Sequence, residues 1–313
     1  MKVAALDLGS NTFICLIAEV ENAAISNIYY DSVELVRLGE GVSATKKFSG
    51  AALLRAEAAL EKFSLQIRQE SPARVRAVAT AAARSVDNPE ALLGLCQRFN
   101  IPLEIISGDK EAQVTFRGGL SGLKTIPTRS LMLDIGGGST EFIAGNLRNI
   151  LQKKSLPIGA VKLTEQFPWP FAEKPPLGLV DQMRSRIRDQ LGELGKDFDS
   201  SEQSAIGIAL AGTAAELGRL EGFRITGQLA FDSELINRMK LDRESLDYWC
   251  KVLASTAPAG LVSKYQVQPK RADVLLAGCL ILQEALTSLG LAEWQVSTRG
   301  IRFGAALEIA EEK

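Results

Sequence analysis

The sequence predicts an α/β protein of two lobes with a cleft between them, and three observations carry that prediction. Short apolar β-rich runs alternate with amphipathic helical stretches along all 313 residues, the pattern of layered α/β structure. One unit, an apolar strand ending in Asp, a small-residue turn and a second strand, occurs near residue 3 and again near residue 130. Such weak internal duplication is what two related lobes leave in a chain. The length is also enough for two cores of ordinary size.

Taken in order, residues 3–8 form an apolar strand ending in Gly-Ser-Asn-Thr, and 13–20 resume strand character. Two further strands are expected over 24–30 and 33–38. Residues 51–69 read as an amphipathic helix, with Leu53, Leu54, Ala58, Leu60 and Ile67 near helical spacing. A buried strand over 75–80 precedes a helix over 89–99, for which Asp87 or Asn88 is the cap. A strand over 103–106 and a helix over 110–120 complete the first lobe. The pattern then restarts: 130–135 is a strand ending in three glycines, 140–144 its hairpin partner, and 149–154 a third strand. A short polar link at 124–129 containing Pro127 sets the boundary, giving one lobe over 1–124 and another over 125–300. A proline-rich loop over 166–178 (Pro168, Pro170, Pro175 and Pro176) leads to helices over 179–194, 214–220, 242–255 and 271–289. Strands are expected over 205–210 and 293–296. The terminal segment, 301–313, carries a helix that packs back on the first lobe.

Composition narrows the chemistry. Hydrophobic residues make up 46% and charged residues 23%, as in ordinary soluble proteins. A net charge of −1 gives no global field to recruit a nucleic-acid polymer or an anionic membrane. No apolar run reaches the ~18 residues a membrane span needs. The N-terminal run, interrupted by Asp7, is too short for a signal-peptide core. Cys15, Cys96, Cys250 and Cys279 show no short spacing, so neither zinc nor a disulfide framework is indicated, and a cytoplasmic protein is expected. The chain contains no histidine. That excludes Ser-His-Asp and Cys-His nucleophiles and His-ligated metals. Catalysis must use carboxylates, hydroxyls, amides, Lys or Arg, with an oxygen-bound cation such as magnesium as an option.

Two stretches carry chemistry. Residues 5–16, ALDLGSNTFICL, place Asp7 at a strand end before Gly9, Ser10, Asn11 and Thr12. The turn either supplies only hairpin conformers or converges backbone amides and hydroxyls on a phosphate. Residues 131–142, LMLDIGGGSTEF, place Asp134 and Glu141 on either side of Gly136, Gly137, Gly138 and Ser139. Three consecutive glycines lose more backbone entropy than a simple turn requires, which favours an anion cradle. The flanking carboxylates can hold a divalent cation or orient water.

The pair of Asp-Gly hairpins resembles the two phosphate loops of the actin, sugar-kinase and heat-shock-70 superfamily. Within it, the chain is most similar to the exopolyphosphatase/guanosine-pentaphosphatase family in its short two-domain form. The resemblance continues through VRLGEG (36–41), VRAVATAAARSVDN (75–88), EIISGDKEA (104–112), SLPIGAVKLTE (155–165), RADVLLAGCLIL (271–282) and STRGIRFG (297–304). It implies two actin-like (ribonuclease H-like) lobes with an interdomain cleft. It also implies that Glu111 is the catalytic base and that Arg84 faces the phosphates. Asp134 and Glu141, with Asp7, are implied to hold Mg2+ or Mn2+, and Gly212 and Thr213 to line the cleft. A homodimer is implied by resemblance alone.

Some positions depart from the family's pattern. Ile14 stands where members carry a basic residue, Lys110 sits beside the base, and Phe303 replaces a glutamate beside Arg302. The longer relatives' helical domain with its His-Asp motif is not expected in a histidine-free sequence of this length, and a weaker grip on long chains is expected with it. Arg184 and Arg188, one helical turn apart, and the Lys270-Arg271 pair read as solvated faces, with guidance of a polyanion as the alternative. Trp169, Trp249 and Trp294 are assigned to packing. The expected function is magnesium-dependent removal of the terminal phosphate from inorganic polyphosphate, with short chains favoured. Removal of the 5′-terminal phosphate of guanosine pentaphosphate is the close alternative. A non-catalytic sensor of polyphosphate or of guanosine penta- or tetraphosphate belongs to another class.

Overall fold

The computed structural model describes residues 1–123, 128–146, 149–192, 194–198, 205–229, 232–237 and 239–312. The chain divides into two compact units, Met1–Ser121 with Arg299–Lys313, and Gly122–Thr298. The link expected at 124–129 falls mainly on 124–127, outside the described residues.

The first unit runs β1 (Lys2–Leu8), β2 (Thr12–Glu21), β3 (Ala24–Leu35), α1 (Val42–Thr45), α2 (Gly50–Glu70), β4 (Arg74–Ala79), α3 (Ala81–Arg84), α4 (Pro89–Arg98), β5 (Leu103–Ile105) and α5 (Gly108–Leu120). Its sheet has the order β3-β2-β1-β4-β5, antiparallel through the first three strands and parallel through β1, β4 and β5. Being central, β1 is apolar on both faces. Ala4, Leu6 and Leu8 join one cluster, with Leu60 and Phe63 of α2. Val3 and Ala5 join another on the opposite face. The strands expected over 24–30 and 33–38 are one strand, β3. Asp31 and Ser32, which resemble a break in sequence, lie inside it, because Arg302 grips the Asp31 carboxylate with both Nε and Nη2 at 2.8 and 2.9 Å. Asn88 occupies the N-cap position of α4, but its side chain makes no cap bond; its Oδ1 accepts from the Phe48 amide at 2.8 Å. Ser49 does cap α2, accepting from the Ala52 amide at 3.2 Å.

The second unit runs β6 (Arg129–Ile135), β7 (Thr140–Gly145), β8 (Ile150–Leu156), α6 (Ala160–Gln166), α7 (Leu179–Leu191), α8 (Leu194–Asp197), β9 (Ala205–Leu210), α9 (Ala211–Thr226), α10 (Ser233–Ile236), β10 (Lys240–Asp242), α11 (Arg243–Ser255), α12 (Pro258–Tyr265), α13 (Pro269–Ala272), α14 (Leu275–Ser288) and β11 (Glu293–Val296). Its sheet order is β10-β11-β9-β6-β7-β8. The expected helix over 271–289 is two, broken at Asp273 and Val274, and the one expected over 214–220 extends to both sides as α9. Helix α14 is buried from Leu275 to Leu286, which explains its apolar sequence. Trp249 and Trp294 are core residues whose ring N–H groups donate to Glu221 Oε2 at 2.8 Å and to the Leu282 carbonyl at 3.1 Å.

The terminal helix, α15 (Ile301–Glu311), belongs to the first unit and lies against α5 and β1. Glycine permits this approach. A Cβ on Gly118 would stand 2.0 Å from the Gly300 carbonyl oxygen, and one on Gly304 would stand 1.9 Å from that of Val114. Among the described residues no helix is long and apolar enough to cross a membrane. Gly118→Ala and Gly304→Ala are each expected to destabilise the protein by at least ~1–3 kcal/mol, because backbone must move to admit the methyl group. Urea unfolding checks this, with Gly94→Ala, where a Cβ meets nothing within 4 Å, as the control.

Candidate active site

In the first unit, the β1–β2 pairing sets Asp7 opposite Ile14 and Leu8 opposite Phe13, leaving a tight turn between the strands. The Gly9 amide closes it onto the Thr12 carbonyl at 3.0 Å. Residues after β3 brace it from outside. The Val36 and Arg37 amides donate to the Asn11 carbonyl at 3.0 and 2.8 Å, and the Gly39 amide donates to that of Ser10 at 2.8 Å. Arg55 of α2 holds the brace in turn, giving Nε to the Val36 carbonyl at 2.6 Å and Nη2 to Glu40 at 2.6 Å. These bonds consume carbonyls of the turn and leave the Ser10 and Asn11 amides out, with both residues exposed. A tip whose free groups are N–H donors suits an anion.

Glu111 lies in the first turn of α5, which Ser107 caps by accepting from the Lys110 amide at 3.2 Å. Arg84, at the end of α3, donates Nη1 to Glu111 Oε2 and to the Ile106 carbonyl, both at 2.8 Å. The two side chains remain 31% and 28% exposed, so the pair adds little to stability. What it fixes is orientation: the carboxylate has one oxygen occupied and one left over. Asp7 is the third member. Its Oδ1 is shut from solvent and has no hydrogen-bond partner, although the residue keeps some exposed surface. Burial raises its carboxyl from 3.8 to about 7, against the lowering charge of Arg302 and with a further rise from Glu111. An orphaned, desolvated carboxylate oxygen fits a cation ligand. Asp7, Arg84 and Glu111, singled out separately in the sequence, therefore form one electrostatic group beside the turn.

In the second unit, Asp134 and Glu141 face each other in the β6–β7 register, and the Gly136 amide closes its loop onto the Ser139 carbonyl at 2.9 Å. The loop is packed from behind by the start of α6. The Ala160 and Lys162 amides donate to the Gly136 and Gly137 carbonyls at 3.0 and 2.9 Å, and a Cβ on Gly159 would stand 2.6 Å from Gly137 and Gly138 backbone atoms. Gly138 has open space where its Cβ would stand. Glu141 Oε1 accepts from Ser139 at 2.6 Å and Ser155 at 3.0 Å. Gly212 lies under Arg271, whose Nη1 donates to its carbonyl at 2.8 Å and would be 2.4 Å from a Cβ there. Thr213 is buried, packed where Gly278 lacks a side chain. Among the described residues no three acidic or sulfur side chains are grouped as a metal cage.

Other singled-out residues are engaged elsewhere. Lys110 pairs with Glu308 of α15 at 2.8 Å. Phe303 is buried, with the guanidinium carbons of Arg299 and Arg302 at 4.9 and 4.7 Å from its ring centre. Arg184 and Arg188 both bond the buried Glu284, at 2.6 and 2.7 Å. The bracing role of Arg55 and the bond from Ser155 to Glu141 had no sequence signal, and Ser139, singled out for the phosphate loop, also turns its hydroxyl to Glu141. Arg271 had one, its place in a basic pair at a helix start, but its target is a backbone carbonyl 59 residues away.

Comparison with known proteins gives a consistent result. The Ppx/GppA phosphatase family matches residues 16–313. Exopolyphosphatase 2 of Mycobacterium tuberculosis is 30% identical over 322 residues, covering 99% of this chain and 98% of that protein. A bifunctional 3-dehydroquinate synthase/phosphatase of Fusobacterium nucleatum is 32% identical over 99% of this chain, which spans about half that protein's length (47%). A solved Ppx/GppA family member from Aquifex aeolicus has a TM-score of 0.83 at 26% identity, covering 98% of this chain and 97% of that one. An exopolyphosphatase structure from Cytophaga hutchinsonii has a TM-score of 0.80 at 25% identity, with coverage of 97% and 96%.

The raised Asp7 carboxyl makes a signed prediction. A group protonated more readily in the folded chain supports folding below its unfolded value of 3.8, and that support is lost as pH rises to about 7. Asp7→Asn, permanently neutral, is expected to match wild type near pH 4 and to exceed it near pH 8 by on the order of 3 kcal/mol. Urea unfolding of both proteins across that range, without divalent cations, is the check.

Proposed function

As the chain belongs to the Ppx/GppA phosphatase family, an enzyme family that hydrolyses phosphoanhydrides, we propose that it removes the terminal phosphate of inorganic polyphosphate. The observation that carries this reading is the Arg84–Glu111 ion pair at 2.8 Å beside Asp7 and the turn at residues 9–12. The names of the similar proteins from M. tuberculosis and C. hutchinsonii support polyphosphate as the substrate.

In the proposed reaction a water molecule attacks the terminal phosphorus in line with the bridging oxygen. Glu111 accepts the proton of that water through its unoccupied oxygen. The P–O bond to the chain breaks, and orthophosphate leaves together with a chain one unit shorter. Arg84 holds Glu111 in position, and its remaining N–H groups face the charge that builds on the phosphate oxygens. The Ser10 and Asn11 amides bind phosphate in the first unit, and the loop at Gly136–Ser139 does so in the second. Asp7 in the first unit, or Asp134 and Glu141 in the second, would hold Mg2+ or Mn2+, which neutralises phosphate oxygens when bound. Asp7 suits this best, because Glu141 already has two hydroxyls on one oxygen.

The test is phosphate release with magnesium from tripolyphosphate, long polyphosphate and guanosine pentaphosphate. Glu111→Gln is expected to slow turnover of polyphosphate by about 10²–10⁴. Equal rates in variant and wild type would remove Glu111 from the mechanism, and release from guanosine pentaphosphate alone would change the substrate. For the cation, Mg2+ or Mn2+ is expected to raise the melting temperature of wild type near pH 8 and not that of Asp7→Asn. An identical rise in both would dismiss Asp7 as a ligand.

A further inference from the structure

Among the described residues, eight non-glycine residues have positive φ, the left-handed region that side chains with a Cβ rarely adopt. Six are explained by chain geometry. Asn22 and Ala23 form the two-residue turn between β2 and β3, where such angles are the rule. Lys46, Ser71 and Gln266 are C-caps of α1, α2 and α12, and Asn100 follows the C-cap of α4. Two remain. Ala211, at φ 65°, precedes Gly212, and Arg37, at φ 51°, is bonded to the turn at residues 9–12. Ala211 opens α9, whereas Arg37 adjoins the turn already assigned to phosphate, the placement expected where strain serves function.

Arg37 is held in this conformation by three bonds at its own backbone. Its amide donates to the Asn11 carbonyl at 2.8 Å; its carbonyl accepts from the Glu40 amide at 3.1 Å and from Arg55 Nη2 at 3.3 Å. Glycine would take this backbone without strain, and the neighbouring Gly39 and Gly41 show that the segment admits it. Yet an arginine stands here. Its side chain is exposed, and among the described residues no carboxylate pairs with it; the adjacent Glu40 is taken by Arg55. The other arginines and the lysine near the candidate base are occupied: Arg84 by Glu111, Arg302 by Asp31 and Lys110 by Glu308. Arg37 is therefore a cation without a carboxylate partner among the described residues, anchored one hydrogen bond from an anion-binding turn.

We propose that Arg37 is a substrate-binding residue whose guanidinium takes a phosphate unit next to the one held by the Ser10–Asn11 turn, so that the preferred ligands are linear chains of at least two linked phosphates. This rests on the reading of the chain as a polyphosphate hydrolase and adds a contact that reading does not contain. Salt dependence follows, since a guanidinium–phosphate contact made in solvent is screened.

The experiment compares wild type, Arg37→Gly and Arg37→Lys on tripolyphosphate at low and moderate salt, with thermal melts of each. Arg37→Gly keeps the bracing amide and carbonyl and relieves the left-handed strain. It is expected to melt no lower than wild type while KM rises about tenfold, the size of one charge-assisted hydrogen bond. kcat should fall far less, and the dependence of KM on salt should flatten. Arg37→Lys should recover part of the affinity and the salt dependence. A purely structural role predicts the opposite: lower melting for Gly, with KM unmoved for Lys. Unchanged KM and salt dependence in both variants, with active wild type, would overturn this inference alone. Failure of wild type to release phosphate from tripolyphosphate would overturn both it and the reading beneath it.

Discussion

The ion pair between Arg84 and Glu111 is the interaction on which the proposed chemistry of the first unit depends. It joins the segment after β4 to the first turn of α5 and fixes a carboxylate that would otherwise be one more surface glutamate. Because both partners are partly exposed, the pair contributes orientation rather than stability. In a chain without histidine, orientation of a carboxylate is what general-base chemistry requires. The same Arg84 also holds the Ile106 carbonyl, so Glu111 is referred to the backbone rather than to another mobile side chain.

Close backbone approach recurs around this group. Gly118 and Gly304 let α15 settle on α5, and that helix brings Arg302 to Asp31 and its charge to bear on Asp7. In the second unit Gly159 plays the comparable part, allowing α6 to bond the carbonyls of Gly136 and Gly137. Helix packing accounts for Gly137, where a Cβ would stand 3.2 Å from the Val161 side chain, while nothing crowds the Cβ position of Gly138. Both turns spend their carbonyls on bracing, which leaves the amide side for a ligand.

Much of this was legible in the residues. The two Asp-turn-strand units and the alternation of helices and strands were visible because periodicity and glycine placement are local signals. The family resemblance singled out Glu111 and Arg84, and the coordinates join them. What escaped was set by distant partners. Asp31 looked like a break in a strand because the arginine that neutralises it lies 271 residues on. Asn88 looked like a cap, but Phe48 recruits its side chain. Lys110 sits next to Glu111 in the chain, but which way it turned was undecided, and Glu308 holds it. Arg37 entered only as one letter of the VRLGEG stretch, since a left-handed arginine is indistinguishable from any other until its φ is known.

The central claim is that Arg84 and Glu111 act as one unit, and a double-mutant cycle on kcat/KM for tripolyphosphate tests it most directly, using wild type, Arg84→Met, Glu111→Gln and the double variant. Residues that work as a unit are strongly non-additive. The account predicts that the double variant is hardly slower than Glu111→Gln alone. Two losses that simply multiply would contradict it, by showing that the arginine and the glutamate act independently.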